Sequence, residues 1–317
     1  MLVRTIEYFF MTDPIYHIDL DYPLSPNPRY EFIKNPHPEL LLLLAGQREY
    51  YRATLSSFSE LSSQLARIPL LPPSARLPDD DLNMIPVQYE KAFNGDREAI
   101  AWFLPIVSEV AESLSPCWLN GFIPSLDAIA LYSFIVLNKP GQYVEVGSGN
   151  STKFARQAIS DYGLKTKIIS VDPAPRASID AICDEIIRMS LEDCDLKVFD
   201  KLRAGDILFM DGSHRCLMNS DATVFFLEVL PRLPKGVLVG IHDIFLPFDY
   251  PKPWVNRAYS EQYLLACYLL ANSTRFKIEF PGFYIGTDKK LSHLLQHLWA
   301  LIPNAVVKNG FAFWFRT

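Results

Sequence analysis

The chain has 317 residues, 49% of them hydrophobic, with a formal net charge of -6 and a pI near 5.6. This composition supplies a substantial core for one large domain or for a domain with an elaboration. The negative charge gives no general field for a polyanion, so it disfavours nucleic acid as a partner and favours small neutral or cationic molecules. Five scattered cysteines predict reduced thiols in a cytoplasmic protein, and we expect no signal peptide and no membrane segment.

Residues 1–120 are predicted to form an amino-terminal helical cap with substrate or oligomer contacts. The region is rich in proline and shows little alternation of strands and helices. Apolar residues recur at helical spacing over 38–66 and 96–114, which predicts a helix in each range. The acidic run 79–81 between them is predicted to be a solvated loop rather than a metal site.

From residue 121 to 317 the pattern changes to strands that alternate with helices. A helix is predicted over 125–137, with Ser125 as its N-cap. Seven strands with helices between them predict an α/β fold with a doubly wound, seven-stranded sheet. The predicted strands are 142–146, 167–171, 185–189, 206–210, 236–241, 275–280 and 311–316.

A glycine turn follows the first of these strands, in the sequence Glu145-Val-Gly147-Ser-Gly149. Glycine lets the backbone turn sharply and approach a ligand closely, and the helix that follows presents free N–H groups. Asp172 ends the next strand, where a carboxylate can accept hydrogen bonds from a ribose diol. This pairing predicts a site for a nucleoside cofactor.

The Glu-x-Gly-x-Gly turn and the later acid resemble the class I S-adenosylmethionine-dependent methyltransferases. The resemblance implies a Rossmann-like, mostly parallel sheet with a late antiparallel strand, and S-adenosyl-L-methionine as cofactor. It also implies cofactor contacts for the turn, for the ribose acid and for residues beside the adenine. These are Glu145, Gly147, Ser148 and Gly149 for the methionine part, Asp172 for the ribose, and Met189 and Ser190 for the adenine.

Polar residues follow the fourth and fifth predicted strands directly. Asp211 and His214 come after the fourth strand, and His242 and Asp243 after the fifth. Parallel strands deliver such residues to one edge of the sheet. A histidine titrates near neutrality and can accept a proton from a substrate hydroxyl, so His214, Asp211 and His242 are the candidate catalytic residues.

The Asp-x-x-His spacing of Asp211 and His214 resembles the small-molecule O-methyltransferases of the macrocin and macrolide-sugar type. In those relatives the aspartate binds a divalent ion and the histidine is the general base, which implies metal ligation by Asp211 and Asp243 here. The chain departs from the pattern because His242-Asp243 replaces a pair of acids. Mg²⁺ is therefore in doubt, and a softer divalent metal or no metal remains open.

The sequence thus predicts a methyltransferase that modifies a hydroxyl of a small molecule or sugar, in a protein that could be a homo-oligomer. A nicotinamide-dependent oxidoreductase is one alternative, although Thr152 and Lys153 stand where its third glycine would be expected. A non-catalytic ligand-binding protein that retains the fold is the other alternative.

Overall fold

The computed structural model describes residues 36–78, 82–271, 274–304 and 306–317. The acidic run 79–81 and the first 35 residues of the predicted cap lie outside the described residues. Among the described residues, no helix is long and apolar enough to cross a bilayer.

One seven-stranded sheet forms the centre of the protein. Its order is β3-β2-β1-β4-β5-β7-β6, and β7 runs antiparallel to both of its neighbours. The predicted doubly wound, mostly parallel sheet is therefore confirmed, including its late antiparallel strand. The strands are β1 (Gln142–Val146), β2 (Lys167–Val171), β3 (Glu185–Ile187), β4 (Ile207–Met210), β5 (Leu238–Ile241), β6 (Lys277–Pro281) and β7 (Phe313–Arg316).

The amino-terminal region is helical where it is described. The range 38–66, predicted as one helix, is three helices, and the first ends at Gly46, a residue that destabilises a helix interior. Asp96 caps the last cap helix by accepting a hydrogen bond from the Ala99 N–H at 2.9 Å. The helices are α1 (Pro38–Gly46), α2 (Arg48–Ser59), α3 (Ser62–Leu65), α4 (Met84–Phe93) and α5 (Arg97–Glu112).

Helices also connect the strands of the sheet. Ser125 is the first residue of its helix and Pro124 is the N-cap, so the prediction of Ser125 as the cap is wrong by one position. Proline suits this place because it lacks the N–H that a helix start leaves unpaired. The helices are α6 (Ser125–Asn138), α7 (Asn150–Asp161), α8 (Asp221–Val224), α9 (Glu261–Leu270), α10 (Gly282–Thr287), α11 (Lys289–Leu294) and α12 (Gln296–Trp299).

The contacts that join the cap to the sheet region include one between apolar rings and one between polar groups. Phe58 of α2 packs 5.3 Å from Phe280 of β6, between ring centroids, within the main hydrophobic core. The fully buried Lys153 of α7 donates hydrogen bonds to the carbonyls of Val110 at 2.7 Å and Ala111 at 3.2 Å, at the end of α5. An ammonium suits this place because the carbonyl end of a helix is its negative pole. Burial nevertheless lowers the pKa of Lys153 to about 8.

The two glycines of the turn after β1 differ in how strictly the fold requires them. Gly147 has a φ of +78°, and a Cβ there would lie 1.8 Å from the carbonyl oxygen of Asp211. The strand ends of β1 and β4 can approach this closely only without a side chain. Gly149 has an extended φ of 175°, and a Cβ there would meet no atom within 4 Å. The fold therefore requires glycine at 147 and not at 149.

We expect Gly147→Ala to lower the melting temperature strongly and Gly149→Ala to leave it nearly unchanged. The first change combines a left-handed backbone with a clash against backbone, a mechanism that costs more than about 2 kcal/mol. Thermal unfolding followed by circular dichroism measures both variants. Equal melting temperatures for the two would contradict the assigned contact.

Candidate active site

A cavity of about 400 Å³ opens at the carboxyl ends of β1, β2 and β4. This is the edge where ligands bind in open α/β sheets. Of the predicted site residues, the cavity is lined by Gly147, Ser148, Gly149, Asp172, Ser190 and Asp211. Glu145, Met189, His214, His242 and Asp243 are not part of its lining.

Asp172 ties the turn after β1 to the end of β2. It accepts hydrogen bonds from the backbone N–H of Ser148 and from that of Ala174, each at 2.7 Å. Burial raises the pKa of Asp172, although these hydrogen bonds oppose the shift. A carboxylate has more lone pairs than these two bonds use, so it can also accept hydrogen bonds from a ligand in the cavity.

Two cavity residues that the sequence analysis did not name carry unpaired side-chain oxygens. Glu192 Oε2 and Asn150 Oδ1 are buried and have no hydrogen-bond partner within the described residues. Met189, predicted beside the adenine, is 45% exposed and does not line the cavity, whereas Glu192 does. A buried, unpaired acceptor is costly unless a ligand supplies the donor. The short spacing from Ser190 is the signal that could have found Glu192.

Glu145 holds the turn rather than the ligand. Its side chain is fully buried and accepts hydrogen bonds from the Tyr143 hydroxyl at 2.7 Å and from the Thr152 hydroxyl at the start of α7. Burial raises the pKa of Glu145 to about 7, although its hydrogen bonds oppose the shift. The predicted direct cofactor contact of Glu145 is therefore corrected to a contact that positions the glycine turn.

Asp211 is shared by the two predicted catalytic histidines. Its Oδ1 lies 3.3 Å from His214 Nε2 and 3.3 Å from His242 Nδ1. The side chain is 25% exposed and lines the cavity, whereas the histidines lie behind it. Burial alone would raise the pKa of Asp211, but the two imidazolium charges hold it well below its usual range. Asp211 therefore presents a negative charge to the cavity.

His214 is enclosed by acids. It is 3% exposed, its Nδ1 lies 2.5 Å from Glu261 Oε1, and its Nε2 lies 3.5 Å from Asp243 Oδ2. Burial would lower its pKa, but the charge of Glu261 and further partners raise that pKa well above the usual value. A histidine protonated at neutral pH has no lone pair for a substrate proton. The geometry therefore does not support the predicted base role of His214.

His242 is enclosed in the same way. Its Nε2 lies 3.3 Å from Asp127 Oδ2 of α6, and its Nδ1 lies 3.4 Å from Asp243 Oδ1. Burial opposes protonation, but the charges of Asp211 and Asp243 raise the pKa of His242 well above its usual value. We call the six groups Asp127, Asp211, His214, His242, Asp243 and Glu261 the acid–histidine cluster.

The cluster does not fit the metal site that the resemblance implied for Asp211 and Asp243. A metal needs neutral imidazole nitrogens, whereas the neighbouring carboxylates raise the pKa of both histidines. Across the described ranges, no group of three or more histidines, cysteines or acids is arranged to hold a metal ion. We therefore derive no step that involves a metal.

Comparison with known proteins agrees with the fold and the glycine turn. Residues 144–244 match the family model described as a methyltransferase domain. This stretch is therefore similar to methyltransferase domains. An uncharacterized protein of Archaeoglobus fulgidus is 33% identical over 89 residues, which cover 26% of this chain. The chain spans 40% of the length of that curated relative.

Solved methyltransferase structures are also similar to this chain. A Podospora anserina methyltransferase bound to SAH is 16% identical, with a TM-score of 0.35, over 48% of this chain and 71% of that one. An O-methyltransferase of Bacillus cereus in complex with SAH is 14% identical, with a TM-score of 0.37, over 61% and 83%. At these values the likenesses identify neither a substrate nor a reaction.

Because Glu145 is buried, we expect the free energy of unfolding to depend on pH. Glu145→Gln should remove this dependence. The folded-state pKa of about 7 lies above the ordinary value of 4.5, so between these values the folded state binds more protons than the unfolded state. Stability of the wild type should therefore fall as pH rises from 4.5 to 7.

We expect the wild type to lose about 1–3 kcal/mol relative to Glu145→Gln across this range. Urea unfolding of both proteins at several pH values measures the difference, because groups common to both cancel. A difference that stays constant with pH would show that Glu145 is charged throughout.

Proposed function

We propose that the protein transfers a methyl group from S-adenosylmethionine to a hydroxyl of a small-molecule acceptor. The cavity at the carboxyl ends of β1, β2 and β4 carries this proposal, since its volume lies within the range of ligand sites. Asp172 would hold the ribose, and Glu192 would accept a hydrogen bond from the adenine amino group. The turn from Gly147 to Gly149 would hold the methionine part.

The charge of the cavity supports a cationic ligand. Four carboxylates line it, against the guanidinium of Arg176, and one of them is the ionised Asp211. A pyrophosphate would be repelled by this lining, which disfavours a nicotinamide cofactor. A sulfonium would be attracted, because opposite charges interact strongly in a partly buried site. The four carboxylates are Asp172, Glu192, Asp211 and Asp221.

S-adenosylmethionine would supply a methyl group activated by the positive charge of its sulfur. As the carbon–sulfur bond breaks and the bond to the acceptor oxygen forms, the hydroxyl proton would pass to a carboxylate that lines the cavity, such as Asp211, and from there to water, leaving S-adenosylhomocysteine and the methyl ether. The chain's own residues orient the reactants and exclude water, and these effects account for most of the proposed rate. His214 and His242 keep Asp211 ionised and fixed in direction. In this role they are positioning residues, which replaces the hypothesis that His214 is the general base.

We expect Asp172→Asn to weaken binding of S-adenosylhomocysteine by about tenfold or more, because a charge-assisted hydrogen bond contributes about 1.5–3 kcal/mol. Glu192→Gln, which keeps its shape, should weaken binding less. Asp200→Asn, on the exposed surface, is the matched control and should bind normally. Calorimetry measures all three, and heat of binding with NAD but none with S-adenosylhomocysteine would reject the proposed function.

We also expect methyl transfer to survive exhaustive chelation, because carboxylate oxygens already lie against the imidazole nitrogens of the cluster. The measurement compares initial rates before and after dialysis against EDTA, with re-addition of Mg²⁺ or Mn²⁺. Loss of activity that either ion restores would contradict the assignment and return Asp211 and Asp243 to the role of ligands.

A further inference from the structure

A second, smaller space lies beside the cavity, between the cap and the residues that follow β5. Its walls include five aromatic side chains, from α4, from the segment before α6, from the insertion after β5 and from the segment before β7. These are Tyr89, Phe93, Phe122, Trp254 and Phe311, and the charged side chains of Asp243 and Arg257 also line the space. We call it the aromatic chamber.

The aromatic walls of the chamber pack against one another. The ring centroid of Phe93 lies 5.2 Å from that of Trp254 and 5.9 Å from that of Phe311. Phe93 belongs to the cap, whereas Trp254 and Phe311 belong to the methyltransferase side of the chain. The chamber therefore forms only where the two parts meet, a common position for ligand sites.

Two polar atoms in this wall lack hydrogen-bond partners among the residues that the structure describes. They are Asp243 Oδ2 and Trp254 Nε1, in side chains that are 1% and 3% exposed. Asp243 Oδ2 has only the longer ion-pair contact of 3.5 Å with His214 Nε2. A buried carboxylate oxygen without a donor is costly, and a hydroxyl that enters the chamber would supply one.

The backbone at Asp243 is a second, independent sign of a functional position. Its φ is +55°, and His214, which it faces, has a φ of +62°. Residues other than glycine seldom adopt this region, and such conformations concentrate at ligand sites. Two such residues therefore meet at the wall of the chamber.

Phe122 separates the chamber from the cofactor cavity, since it lines both. The chamber as it stands has room for little more than a water molecule. A ring can enter only by displacing a side chain, and displacement of Phe122 would join the two spaces. An acceptor in the chamber would then reach the cofactor cavity.

We propose that the aromatic chamber binds the methyl acceptor and that this acceptor is a planar aromatic ring bearing a hydroxyl. The identification of the occupant as the acceptor rests on the proposed function. A ring can stack against the aromatic walls while its hydroxyl donates to Asp243. Five of the lining side chains are aromatic, so a sugar would place several of its hydroxyls against ring carbons, and each unpaired hydroxyl would weaken binding. The chamber therefore favours a phenol over the sugar that the macrolide resemblance implied.

The test compares three fluorinated probes by ¹⁹F NMR titration: 4-fluorophenol, 4-fluorocyclohexanol and methyl 4-deoxy-4-fluoroglucoside. The first two share size and a single hydroxyl, and only the first is planar. We expect 4-fluorophenol to bind about tenfold more tightly than either other probe, with or without S-adenosylhomocysteine. Absence of 4-fluorophenol binding, or tighter binding of the sugar, would overturn the proposal.

Two variants locate the bound probe. Asp243→Asn keeps the side-chain shape, and asparagine tolerates a positive φ. This variant should weaken 4-fluorophenol binding about tenfold, because the charge-assisted hydrogen bond is lost. Phe93→Leu removes a wall of the chamber without touching the acid–histidine cluster, and it should also weaken binding. Asp200→Asn is the control, and unchanged affinity in both chamber variants would place the probe elsewhere and overturn the proposal.

Calorimetry with S-adenosylhomocysteine on the same samples separates the two hypotheses. Selective phenol binding without binding of S-adenosylhomocysteine would reject the proposed function and retain the aromatic site. Binding of S-adenosylhomocysteine without selective phenol binding would retain the function and reject the aromatic acceptor.

Discussion

The shared contact of Asp211 with two buried histidines is the interaction on which the site depends. Three carboxylates besides Asp211 contact the histidine rings, and they come from α6, from α9 and from the end of β5. Isolated charges could not be buried this deeply, because desolvation would neutralise them. The histidines lower the pKa of Asp211 and the carboxylates raise the pKa of both histidines, so removal of one partner would leave an uncompensated charge in the interior.

The presence of seven strands, their approximate positions along the chain and the glycine turn were predictable from the sequence, whereas the limits of β3 to β7 differ from the predicted ones by one or two residues. Short apolar runs bounded by glycine, proline and acids are a local signal, so β1 and β2 match their predicted limits. The position of Asp172 followed from the same logic, since a residue at the carboxyl end of a parallel strand must face the cavity edge. For these features, local pattern and sheet geometry are sufficient.

The chemical state of the histidines was not predictable, because it depends on distant residues. Glu261 lies 47 positions after His214, and Asp127 lies on a helix that precedes the whole sheet. Nothing near His214 in the sequence indicates that an acid will cover it. Glu145 was misjudged for a related reason: the motif identifies the residue, but only packing decides whether it faces the ligand or the helix start.

The contact of Lys153 with the end of α5 crosses the predicted boundary between the cap and the second region, near residue 120. The ammonium belongs to the helix that opens at the glycine turn, and its partners are carbonyls of the cap. A chain cut at that boundary would keep every residue of the glycine turn yet leave a buried cation without acceptors directly behind it. The amino-terminal region is thus a structural counterpart of the turn, because it supplies the acceptors for the cation behind the turn.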